Sequence, residues 1–207
     1  MGRLNGSQSE IDTAKKRFII ITGTPGVGKS TVSSLLESRI GAKMISIGEL
    51  VQRERLYSSI DKKRRTLVAD TKKLRKRIQE ITSENDRLVV LEGHFAMDVV
   101  SPDTVKRIFV LRRDPQDLRN ILEKRHYDKQ KTKENLAAEI LDVCLYDAVK
   151  RCGVEKVCEI DTTTKEADDI VNEIISILNC KKTCQPGLVD WLGKLEFEGH
   201  LSEYLDF

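Results

Sequence analysis

The chain has 207 residues, of which 39% are hydrophobic and 33% charged, with a net charge of +3. That length suits one α/β domain with small inserts, and so small a net charge excludes a nucleic-acid binder that works through overall charge alone. No run approaches the roughly eighteen apolar residues of a membrane span, which excludes a helical membrane protein.

Residues Met1–Lys16 are polar and lack the apolar centre of a signal peptide. They are expected to form a disordered leader before a domain at 17–180. Cytoplasmic residence is the corresponding expectation, or nuclear if the chain is eukaryotic. Arg17–Thr22 is an apolar, β-branched strand that runs directly into Gly23-Thr24-Pro25-Gly26-Val27-Gly28-Lys29-Ser30. This segment fits G-x-x-x-x-G-K-[ST], a loop whose backbone N–H groups close around a polyphosphate. The helix that follows reaches about Arg39, and its N-terminal dipole favours an anion.

Lys43–Ile47 reads as a second short strand, and a helix starts near Gly48-Glu49-Leu50. Thr66–Ile81 has helical period, with Leu67, Leu74, Ile78 and Ile81 as its apolar positions. Between Arg53 and Arg77, eleven Lys and Arg residues stand against Glu54, Asp61 and Asp70. Such a stretch can receive phosphates or RNA, or it can be a solvated helix face.

Arg87–Glu92 and Val105–Leu111 carry apolar runs with the look of buried parallel strands, and Val157–Ile160 is a last short one. Helices are predicted over Pro115–Lys124, opened by Asp114-Pro115, over Glu134–Arg151 and over Lys165–Leu178. In Gly187–Phe207, two short amphipathic helices fit around Glu198-Gly199, within an acidic tail at 181–207. The tail either packs on the core or serves as an appendage for partners. Five cysteines (Cys144, Cys152, Cys158, Cys180 and Cys184) are an odd count and read as thiols, since Cys180 and Cys184 lack a second Cys/His pair for zinc.

About five strands alternating with helices predict a parallel sheet covered on both faces, with ligands at the carboxyl ends of its strands. This places the loop, Glu92-Gly93-His94 and Arg112-Arg113 along one rim. Gly23, Gly26, Val27 and Gly28 supply backbone amides for ATP, Lys29 reaches the β/γ-phosphates, and Ser30 ligates Mg²⁺. Glu92 is placed to hold the Mg²⁺ shell, and His94 to position a water or a phosphate oxygen. The basic connector Arg125–Lys133 reads as a lid that closes over the nucleotide. GTPases need a guanine-reading N-K-x-D, which the sequence does not contain. A basic insert after the second strand and a lid late in the chain form the layout of nucleoside monophosphate kinases.

Taken jointly, several segments resemble the atypical adenylate kinase family of archaea and eukaryotic nuclei, sometimes called adenylate kinase isoenzyme six. They are Gly23 to Thr31, Gly48-Glu49-Leu50 with Leu56-Tyr57, and Asp70-Thr71-Lys72-Lys73-Leu74. Glu92-Gly93-His94, Val110-Leu111-Arg112-Arg113-Asp114, Arg125-His126-Tyr127 and Lys133-Glu134-Asn135 with Ala138-Glu139-Ile140 follow in family order. The tail's Asp190-Trp191-Leu192 resembles archaeal members more than nuclear ones. The resemblance implies a P-loop NTPase three-layer fold and Mg²⁺-dependent phosphoryl transfer from ATP to AMP, with some ATP hydrolysis. It also implies a part in assembling the small ribosomal subunit, with a platform ribosomal protein and pre-rRNA as partners. By position, Gly26, Gly28, Lys29, Ser30, Thr31 and Arg125 would bind ATP, with the lid at about 125–134. Residues 46–69 would form the monophosphate-binding insert, with Gly48, Leu50 and Arg53 toward AMP. Two departures stand out: nuclear members have Asp-x-His where this chain has Glu92-Gly93-His94, and the family Arg near Gly-Asp-Leu is replaced by Gln52, beside Arg53.

Overall fold

The computed structural model describes residues 17–61, 66–83 and 87–205; the expected leader at 1–16 lies outside the described residues. In chain order the elements are β1 (Phe18–Thr22), α1 (Lys29–Ile40), β2 (Lys43–Ser46), α2 (Ile47–Arg53), β3 (Tyr57–Asp61), β4 (Thr66–Ala69), α3 (Thr71–Ser83) and β5 (Val89–Glu92). There follow β6 (Val105–Arg112), α4 (Pro115–Lys124), α5 (Lys129–Ile140), α6 (Val143–Cys152), β7 (Val157–Asp161), α7 (Ala167–Leu178) and α8 (Trp191–Phe197).

Five of the strands form the parallel sheet that the alternating pattern predicts, in the order β2-β5-β1-β6-β7. Central β1 is buried along its whole length, which is why Phe18–Ile21 are all apolar rather than alternating. Its side chains still divide by parity. Ile19 and Ile21 point to the layer containing Leu36, Phe109, Leu118, Ile174 and Trp191. Ile20 points to the opposite layer, with Leu50, Leu74, Ile78, Ile108 and Leu145. The sheet therefore lies between two helical layers, and among the described residues no helix is long and apolar enough to cross a membrane.

Four expectations need correction. Thr66–Ile81 is not one helix: Thr66–Ala69 is a strand paired antiparallel with β3. Leu67 and Leu74 are spaced as if on one helix, but the β-branched neighbours Thr66 and Val68 favour extension. The helix instead begins after Asp70, whose carboxylate accepts from Lys73 N at 3.1 Å. Nor is Glu134–Arg151 continuous. Asp142, at φ +56°, breaks it into α5 and α6. α5 starts early, because Asp128 caps it by accepting from Lys131 N at 2.8 Å. Only Arg125–Asp128 of the expected lid is therefore irregular, and positions 129–134 are already helical.

The remaining corrections concern cysteines and the tail. Cys158 and Cys184 are joined in a disulfide, with Cα atoms 5.3 Å apart, while Cys144, Cys152 and Cys180 are thiols. In the tail a single helix, α8, and one short 3₁₀ turn at Leu201–Glu203 replace two helices. This segment packs on the core, where Trp191, Leu195, Tyr204 and Leu205 are buried. Lys194 bridges to Asp114 at 2.6 Å, and Arg119 lies over the Tyr204 ring at 4.0 Å, so the segment is held against the start of α4.

Phe109 sits fully buried at the centre of β6. Phe109→Ala is expected to cost about 3–5 kcal/mol of stability, read from urea unfolding midpoints.

Candidate functional site

The loop 23–28 leaves the carboxyl end of β1 and turns into α1. Its shape depends on absent side chains. A Cβ on Gly23, at φ +135°, would strike the Leu111 carbonyl oxygen. One on Gly26, at φ +101°, would come within 2.7 Å of Leu118 Cδ1. Val27 is buried, and its carbonyl accepts from the Thr162 hydroxyl at 3.2 Å, which ties the loop to the strand β7 exit. Gly28 precedes α1 without a side-chain cap, so the first amides of α1 are left for an anion. Lys29 Nζ donates to the carbonyls of Gly23 and Thr24, at 2.9 Å each. Burial lowers its pKa, and nearby Glu92 acts in the opposite direction.

Glu92 ends β5 in register with Ile21 of β1 and Ser46 of β2. It is buried, and the Ser46 hydroxyl donates to its Oε2 at 2.9 Å. His94 follows on the same rim, with Nδ1 3.5 Å from Cys144 Sγ and its ring edge-on to Phe95. Desolvation, then the cation of Lys29, hold the His94 pKa below its ordinary value.

Two cavities open here. One, of about 210 Å³, lies over the loop and is lined by Gly26, Gly28, Lys29, Ser30, Thr31 and Arg125. The other, of about 470 Å³, lies between the loop, the β3–β4 hairpin and α5; Thr24, Leu67, His94, Phe95 and Cys144 are on its walls. Pro25 and Tyr127 belong to both, so the two cavities abut. Arg125 stands at the end of α4, where His126, at φ +57°, turns the chain toward α5.

Most of the residues singled out in the sequence thus surround one loop, but the three assigned to AMP are not on the cavity walls. Leu50 is buried in the core, Gly48 is exposed in the first turn of α2, and Arg53 is exposed beside Glu54 at 3.4 Å.

Sequence reasoning missed the support beneath the loop. Arg112, read as a rim cation, is only 1% exposed. Its Nε donates to Glu139 Oε1 and its Nη2 to the Glu139 carbonyl, each at 2.8 Å, and its other guanidinium contacts are Glu159 and Asp142. Burial disfavours the charge, but Glu139, Asp142 and Glu159 outweigh it and raise the Arg112 pKa. Glu139 in turn accepts from the Thr24 hydroxyl inside the loop, from Arg113 N at 3.1 Å and from Trp191 Nε1 at 3.2 Å. Glu159 accepts from Leu188 N at 2.7 Å. The available signal was the placement of Glu139 on the apolar face of a helix and Glu159 within an apolar strand, since buried carboxylates are paired.

A family profile described as an AAA domain matches residues 19–142, more than half the chain. A relative from Methanocaldococcus jannaschii, named "Putative adenylate kinase", is 44% identical over 176 residues, covering 85% of this chain and 93% of its own. One of the same name from Methanothermobacter thermautotrophicus is 40% identical, covering 86% and 99%. Among solved structures, shikimate kinase from Acinetobacter baumannii in complex with shikimate matches with a TM-score of 0.55 at 15% identity, covering 82% of this chain and 96% of that one. A gluconokinase from Sinorhizobium meliloti matches at 0.52 and 16% identity, covering 89% and 98%. These two establish the fold; the relatives establish descent. The chain belongs to the family of these archaeal adenylate kinase relatives.

Arg112→Met strips the cation from buried carboxylates, and is expected to destabilise the protein by about 3–5 kcal/mol in urea unfolding. NMR titration should give His94 a midpoint below about 6.5, and Lys29→Met should raise it by removing a like charge.

Proposed function

We propose that this family member is a nucleoside monophosphate kinase that transfers the γ-phosphoryl group of ATP to AMP, giving two ADP. The observation that carries this reading is the pair of cavities that meet at Pro25 and Tyr127. A donor held by the phosphate loop in one then faces an acceptor held in the other, with no need for a covalent intermediate. The name borne by the archaeal relatives supports adenosine nucleotides as substrates.

In this reading the loop amides and Lys29 hold the β- and γ-phosphates, with Thr31 at the opening of α1 beside them. An oxygen of the AMP phosphate forms a bond to the γ-phosphorus as the bond to the β–γ bridging oxygen breaks. Charge spreads over the equatorial oxygens, and Arg125 supplies a second cation on the lid side. His94, whose neutral form burial and Lys29 favour, is an acceptor or donor for a phosphate oxygen or an ordered water. The connector Arg125–Asp128 is the segment that closes. Gly48, Leu50 and Arg53, off the cavity walls, bear on the acceptor side only through α2, which Leu50 anchors in the core.

The donor set fits magnesium. Ser30 offers a hydroxyl oxygen and Glu92 a carboxylate, hard ligands of the kind Mg²⁺ takes together with substrate phosphates. When bound, Mg²⁺ neutralises charge on the phosphates. Ser46, which donates to Glu92, keeps that carboxylate oriented.

A second reading is ATP hydrolysis used in assembly of the small ribosomal subunit, with a ribosomal protein or pre-rRNA as partner. The observation in its favour is the β3–β4 hairpin, which exposes Ile60 (56%) and Val68 (44%) next to α3, where Lys72, Lys73, Arg75 and Lys76 are exposed. We place both readings in the cytoplasm.

Turnover of Mg-ATP with and without AMP tests the first reading. Strictly AMP-dependent formation of two ADP per ATP, without free phosphate, is expected. Lys29→Ala should lower that rate at least about a hundredfold. Phosphate release indifferent to AMP would favour hydrolysis instead.

A further inference from the structure

We infer that the larger cavity takes the base of the acceptor nucleotide, and that Phe95 is the surface on which the base stacks. The inference rests on the kinase reading and adds to it a residue that neither the motif nor the family resemblance marks.

Polarity decides which end of an acceptor goes where. A phosphate needs donors, and these lie around Lys29, Ser30 and Arg125 in the smaller cavity. On the larger cavity's walls, Leu67, Phe95 and Ala138 offer no side-chain donor or acceptor, Tyr127 adds an aromatic ring, and Gln130 and Asn135 offer uncharged amides of the kind that meet a base edge. That end suits an uncharged, planar group. Asp128 and Glu134 also line this cavity, and carboxylates there repel a phosphate; one cation, Lys131, stands beside them, drawn over the Tyr127 ring at 4.9 Å. The acceptor is therefore oriented with its phosphate toward the loop and its base away from it.

Phe95 is the aromatic side chain placed to meet that base. It follows His94 at the end of β5, and the two rings stand at 83° with centroids 5.5 Å apart, so His94 braces Phe95. Even so, Phe95 keeps 46% of its surface exposed, on a cavity wall rather than at an outer edge. A large ring left half-open in a cavity of about 470 Å³ has room for a flat partner on its face. Stacking on an aromatic ring favours any base, because every base has a π-face. Phe95 thus adds acceptor affinity and leaves the choice among bases to the polar groups around it. Its proximity to His94 also means that a stacked base excludes water from the side of the cleft where transfer occurs.

The experiment compares wild type, Phe95→Ala and Phe95→Trp in two measurements. Calorimetry gives binding of ATP and of a probe with two adenosines joined through five phosphates, long enough to occupy both cavities. Steady-state kinetics gives KM for AMP and kcat. In Phe95→Ala, probe affinity should fall and KM for AMP should rise, each about tenfold, with ATP affinity and kcat within about twofold of wild type. Phe95→Trp should restore both. Unchanged probe binding and KM in Phe95→Ala would overturn the stacking role while leaving the kinase reading intact, and so would an equal loss of ATP affinity, which marks a structural effect. If the wild-type protein binds the probe no more tightly than ATP, the two-nucleotide reading itself falls, and the inference falls with it.

Discussion

A single buried cation organises the support of this nucleotide site. Arg112 ends β6, which is buried from Ile108 onward, and in that position a guanidinium is tolerable only if its donors are met. Glu139, Asp142 and Glu159 meet them, and each comes from a different part of the chain: the end of α5, the break before α6, and β7. The fork geometry of a guanidinium suits this role, since its planar donors fix direction as well as distance. With its charge satisfied, Glu139 has lone pairs left for Thr24 of the phosphate loop and Trp191 of the C-terminal segment. The loop is thereby held from below by a carboxylate whose own position is set by Arg112. Removing Arg112 leaves the carboxylates of Glu139 and Glu159 in a place where water cannot reach them.

Above this base the charges alternate in a way that suits anionic ligands. Lys29 lies between the loop carbonyls it donates to and the carboxylates of Glu92 and Glu139, which favour its charged form against desolvation. At His94, by contrast, burial and Lys29 favour the neutral form. Lys29 and His94 on the same rim have different uses, the first for charge and the second for hydrogen bonding.

Much of the fold was legible because the sheet is buried on both faces. Runs such as Phe18–Ile21 and Ile108–Leu111 carry no alternation to misread, and the glycines of the loop mark its turn directly. The loop and the rim position of His94 could be read for the same reason. The hairpin could not: Leu67 and Leu74 keep a spacing that strand-then-helix and helix both satisfy, and only the pairing of Tyr57–Asp61 with Thr66–Ala69 separates them. Nor could the break at Asp142, because the aspartate leaves helical geometry where its carboxylate meets Arg112, a contact set by tertiary structure. Arg112 itself was misplaced, since an Arg-Arg pair at a strand end looks like a solvated rim until the opposing carboxylates are seen to be buried.

Thr24 and Trp191 meet on one carboxylate although most of the chain lies between them. Contacts of that separation stabilise nothing until the intervening chain has closed, so they come late in folding. During synthesis the consequence is one of order. The segment bearing the phosphate loop leaves the ribosome early, while the residues that complete its buried support follow after the last sheet strand. A nascent chain can pair its sheet before it can finish its nucleotide site, and competence to bind arrives as a final step of maturation.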